Sequence, residues 1–69
     1  MALNDGDIRR WSCTKLRIFF ESRNINWMVD NLELSNVFAL ENKLRECSSE
    51  ASNKIAYIIS MLKHSIRKR

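Results

Sequence analysis

In the second half of the chain, one helical phase of apolar residues runs through a polar stretch. Val37, Leu40, Leu44, Cys47, Ala51, Ile55, Ile58, Leu62 and Ile66 follow one another at steps of three or four residues. The mean step is about 3.6, the period of an α-helix. The phase passes unbroken through ECSSEASNK, residues 46–54, where a turn would normally reset it. The Ser, Asn, Ala, Glu and Lys of that stretch are mediocre to good helix formers. The expectation is therefore one continuous helix over about 33–67, with a break at Ser48-Ser49 as the alternative. Neither serine has Glu or Gln three positions on to complete a capping box.

The rest of the chain also reads as helix. It has no proline and a single glycine, Gly6, so no strong turn signal interrupts residues 7–69. Asn4, Asp5 and Asp7 suit a helix start, as an N-cap followed by an acidic first turn. A first helix over about 5–23 carries Ile8, Trp11, Leu16, Phe19 and Phe20 on a broad face. Cys13 and Ile18 widen that face beyond what a simple surface helix shows, so cover on more than one side is expected. Asn24 is a suitable C-cap. Residues 24–30 read as a connection, and Asp30 with Glu33 has capping-box spacing before the next helix. The predicted fold is all-α: one domain over 1–69, a short N-terminal helix packed on a long C-terminal helix. A split near Ser48 would turn this hairpin into a three-helix bundle.

Length raises the question of what supplements the core. A 69-residue chain buries only ~60% of its unfolded surface. Domains of this size often add disulfides, a metal or self-association. Cys13 and Cys47 could form one bridge, but with no cysteine framework and no signal peptide to favour it they read as small core residues of a reducing compartment. With His64 they match no compact zinc pattern, so no metal or cofactor is expected. Self-association remains. A 35-residue helix would reach ~52 Å and a 19-residue one ~28 Å. About half of the long seam, around Ile55, Ile58, Ile59 and Leu62, would then face water. Exposed stripes of that kind usually mark a partner surface, and the expected partner is a second copy in a two-fold dimer. The expected interface comprises Val37, Phe38, Leu40, Leu44, Ala51, Ile55, Ile58, Ile59, Leu62 and Ile66. Trp27, placed in the connection, is expected to be an exposed hot spot.

Charge supplies the competing reading. The net charge is +4. Residues 51–69 carry Lys54, Lys63, Arg67, Lys68 and Arg69 with no acid, whereas residues 24–50 are net acidic. Arg9, Arg10, Arg17, Lys63, Arg67 and Lys68 could join into a phosphate-gripping patch. A dimer displaying them would read the backbone shape of a nucleic acid, double-stranded RNA included. The plainer view is of solvated helix faces and cations placed at a helix C-terminus. No apolar run approaches the ~20 residues of a membrane span. Catalysis is not expected: His64 has no nucleophile beside it in sequence, and no HExxH, P-loop or GxSxG motif occurs. The sequence thus points to a non-enzymatic protein-interaction or oligomerisation module, inside the cell in cytoplasm or nucleus. Its expected partners are a second copy or another helical protein, with nucleic-acid binding as the alternative and no small-molecule substrate.

Overall fold

A computed structural model describes residues 3–47 and 52–69. Among the described residues the chain is all-helical. Five helices follow one another: α1 (Asp5–Arg10), α2 (Cys13–Ser22), α3 (Ile25–Asn31), α4 (Leu34–Arg45) and α5 (Ser52–Lys68). None is long and apolar enough to cross a membrane.

Short polar side chains cut the N-terminal half into three pieces. Asn4 caps α1, its Oδ1 accepting from the Gly6 amide at 2.7 Å. A Cβ at position 6 would lie 3.0 Å from that oxygen, which favours glycine there. The predicted helix over 5–23 is interrupted at Trp11, whose backbone is extended (φ −66°, ψ 146°). Ser12 then starts α2, its Oγ accepting from the Lys15 amide at 3.1 Å. The serine offers the backbone a cap in place of a continued helix, which is why the pattern breaks there. Asn24 acts in the same way. It does not close a helix as a C-cap but opens α3, accepting from the Trp27 amide at 2.7 Å. The expected 24–30 connection is therefore mostly helix.

Glu33 precedes α4, and its backbone amide donates to Asn36 Oδ1 at 2.9 Å. Asn36 is the one buried polar side chain among the described residues. Its Nδ2 donates to the Leu3 carbonyl at 2.9 Å and to Asp5 Oδ1 at 2.6 Å. The amide is therefore satisfied on both sides and ties the start of α1 to α4.

The continuous helix over 33–67 does not form. α4 ends at Arg45, and the Glu46 and Cys47 amides turn back to the Lys43 and Leu44 carbonyls in a tightened last turn. Residues 48–51, including the Ser48-Ser49 break position and Ala51, lie outside the described residues. α5 returns antiparallel along α4: Lys63 Nζ meets Glu41 Oε2 at 2.5 Å. Arg69 donates to the Val29 and Leu32 carbonyls near the start of α4. The described residues extend 31 Å at most, well short of the ~52 Å of a single helix.

Folding back fills the seam from within the chain. Val37, Leu40, Ile55, Ile59, Leu62 and Ile66 are buried with Ile8, Leu16, Phe19, Phe20, Met28 and Leu32 in one core. Leu44 and Ile58 pack at its edge. The stripe expected to lie open for a second copy is thus mostly internal. α1 and α2 lie against α4, and α3 lies against α5. A covalent link completes the N-terminal half: Cys13, the first residue of α2, is disulfide-bonded to Cys47, just beyond α4. The two cysteines are cross-linked rather than free core residues, a pairing set by tertiary placement that spacing alone could not reveal.

A cationic aromatic face as candidate functional site

Once Ser12 and Asn24 bound α2, its two sides separate. Leu16, Phe19 and Phe20 point into the core. Lys15, Ile18 and Ser22, at steps of three and four, form a stripe that flanks the buried face and are exposed. Ile18 is 54% exposed in the middle of it. Extended backbone at Trp11 and Arg23 places one residue at each end, and α3 adds Trp27, 36% exposed.

These side chains interlock. The Trp11 and Phe19 rings are 5.2 Å apart at 49°, and Phe19 meets Trp27 edge-on at 6.2 Å and 74°. Such tilted and edge-to-face contacts suit the ring quadrupoles. Phe19 also contacts Phe20 at 5.4 Å, which fastens the surface cluster to the core. Cations cover the rings. The Arg23 guanidinium lies 4.7 Å from the Phe19 centroid and 4.9 Å from that of Trp27, and Lys15 Nζ lies 5.4 Å from Trp11. Each contact is worth ~0.5–1 kcal/mol at an exposed site. Leu3, Trp11, Lys15, Ile18, Phe19 and Arg23 line a shallow open cleft here. A second depression continues it past Ser12 to Arg10 and Asp7.

The charge on this face is not neutralised by the described residues. Among the described residues, Arg10, Lys15 and Arg23 form no ion pair. Elsewhere Arg17 pairs with Glu21 at 3.9 Å, Lys43 with Glu46 at 2.9 Å, Arg45 and Lys63 with Glu41, and Arg69 with Glu33 at 3.9 Å, whereas Arg9, Lys54, Arg67 and Lys68 stand in no ion pair among the described residues.

The residues expected to grip a nucleic acid do not share one surface. Arg9 borders a cleft with Asn42 and Lys43 on α4, whereas Arg10 faces Trp11 and Lys15. Arg17 stands beside Lys54 over Phe20 and Ile58. Lys63 is taken up by Glu41 and by the ring of Phe38, 5.5 Å from its centroid. Arg67 and Lys68 are exposed in the last turn of α5, where they suit the helix dipole. Of the expected interface residues, Trp27 and Phe38 (39%) are exposed, and Trp27 sits in a helix rather than a loop. The sequence reading missed Lys15, Ile18 and Arg23 as surface partners of Trp27. The signal that finds them is the pair of caps at Ser12 and Asn24, which fixes the two sides of α2. Tyr57, 68% exposed on α5, was also not anticipated.

Compared with protein-family models, with curated proteins and with solved structures, the chain matches none. The chemistry of the face itself must therefore carry the functional reading.

Proposed function

We propose that this chain is a non-enzymatic helical interaction module that docks a protein partner on the face formed by Trp11, Lys15, Ile18, Arg23 and Trp27. One observation carries the reading: an exposed branched aliphatic, Ile18, is flanked by Lys15 and Arg23, which have no carboxylate partner among the described residues. An apolar anchor within a polar rim is the usual anatomy of an interface, and Trp and Arg are its commonest hot spots. The reading takes a different protein as the partner, since Ile55, Ile59, Leu62 and Ile66, expected to meet a second copy, are buried within the chain. The disulfide favours a setting in which thiols are oxidised over the cytoplasm or nucleus read from the sequence.

A photo-crosslinking side chain at position 18 of the whole chain, in the cells that make it, tests this reading. Position 57 on α5 is the matched exposed control. Discrete adducts from position 18 that vanish with Lys15→Glu and Arg23→Glu are expected. Adducts of equal yield from position 57, or none from position 18, would overturn it.

A further inference from the structure

Resting on the reading of this face as the contact surface, the geometry points to a partner of defined chemistry. We infer that it is an amphipathic helical segment with one apolar side chain between two carboxylates about two turns apart. Three observations lead there. First, the local charge is unbalanced: Arg10, Lys15 and Arg23 surround the face, and Asp7 is the acid that shares its lining. Among the described residues none of these cations has a carboxylate. A partner supplying carboxylates neutralises the excess, and one supplying cations is repelled.

Second, the cations are spaced to bracket the apolar centre. Ile18 lies between Lys15 in α2 and Arg23, the residue just beyond its end. Eight residues at 1.5 Å rise put the Cα atoms of Lys15 and of Arg23, the residue that caps α2, ~12 Å apart along the axis. A helix laid alongside α2 presents two carboxylates at that separation when they are seven or eight residues apart, with a Leu, Ile or Phe midway over Ile18. The face therefore selects an acid–apolar–acid pattern with a helical period, not negative charge alone.

Third, the aromatic rings are not free platforms. Arg23 lies over Phe19 and Trp27, and Lys15 lies over Trp11. Phe19 is itself buried. Stacking of nucleobases needs open ring faces, and Ile18 offers a phosphate chain nothing. Cations resting over rings can take carboxylates, because an aromatic contact made before binding narrows the rotamers that docking must fix. Single-stranded nucleic acid is the competing occupant and forms the other arm of the test.

The probe is a synthetic helix-forming peptide of about 20 residues, with two Glu seven positions apart flanking a central Leu on one face. Binding to the whole, disulfide-intact chain is read by the fluorescence of Trp11 and Trp27 and by calorimetry. Three ligands serve as comparisons: the same peptide with Glu replaced by Lys, an isomer with the two Glu four residues apart, and a single-stranded oligonucleotide. Saturable binding of the first peptide alone is expected, weakening as salt rises from 0.05 to 0.5 M. Ile18→Ser should weaken it about tenfold through loss of apolar contact, and Lys15→Gln and Arg23→Gln about fivefold each. Circular dichroism of each variant confirms that its helices persist. Equal binding of both acidic isomers, or binding of the oligonucleotide in their place, overturns the proposed pattern. Crosslinking from position 18 without peptide binding would overturn this partner chemistry and leave the face standing. Absence of both would remove the face as well.

Discussion

Among the described residues, two places present an aromatic ring beneath a cation, and they differ in what holds the cation. On the α4–α5 side, Lys63 lies over Phe38 and is also paired with Glu41 at 2.5 Å. On the α2–α3 side, Arg23 lies over Phe19 and Trp27 and Lys15 over Trp11, with no carboxylate among the described residues on either. The first arrangement is closed: its charge is spent in clamping two antiparallel helices. The second is open, because its charge remains available to something outside. Aromatic–cation contacts alone thus do not distinguish a structural clamp from a docking face; the presence of an internal counter-charge does.

The halves also differ in what keeps them folded. α4 and α5 bury one long apolar stripe against each other, whereas α1 to α3 are short helices joined by caps and tied down by the disulfide and Asn36. The largest expected effect follows from that asymmetry. Reducing Cys13–Cys47, or replacing both cysteines by Ser, reopens a cross-link between residues 34 apart. The stability lost should be about 4 kcal/mol, as read from urea unfolding. Hydrogen exchange should rise most in α2 and least in α5. A uniform rise would show that the halves are not separable. Next, Leu62→Ala, at a fully buried site, should cost about 3 kcal/mol. The same measurement should show α5 loosened and the disulfide-held end of α2 least affected.

Asn36→Ala should cost about 2 kcal/mol, because the Glu33 amide and the Asp5 carboxylate lose their internal partner. Thermal unfolding would register this as a lowered Tm. Glu41→Gln is the sharpest test of the closed clamp. It should cost about 1 kcal/mol, since the pair is only partly buried, and it leaves Lys63 over Phe38 as uncompensated as Arg23 is over Trp27. Smallest of all, Ile18→Ser should change stability by less than about 0.5 kcal/mol, because the side chain is mostly in water. A large loss there would mean that Ile18 serves the fold and not a partner.

How much of this was legible in the sequence divides along the same line. Absence of proline, a lone glycine and the apolar period identify an all-helical chain. They also pick out Val37, Leu40, Ile55, Leu62 and Ile66, which are all core. The return between α4 and α5 was hidden by its length. Leu44 and Ile55 are eleven residues apart, close to three helical turns, so an interrupted helix keeps the phase of a continuous one. Because α5 folds back, the stripe meets itself, and the surface expected for a second copy is used internally. In the N-terminal half the breaks depend on Ser12 and Asn24, which have no Glu or Gln three positions on and so lack the capping-box signal. With those caps unread, Ile18 counts as one more apolar residue on a broad buried face. With them, it moves to the outer stripe beside Lys15.

The most direct test of the open face against the closed clamp is a heteronuclear NMR titration of the whole oxidised chain with the acidic amphipathic peptide. The signals to follow are the indole N–H groups of Trp11 and Trp27, the Ile18 methyl groups and the Phe38 ring. The expected result is saturable shifts at Trp11, Ile18 and Trp27, with Phe38 unmoved. Shifts centred on Phe38 and Tyr57, or no shift at Ile18 at saturating peptide, would contradict the assignment of the α2–α3 face as the docking surface.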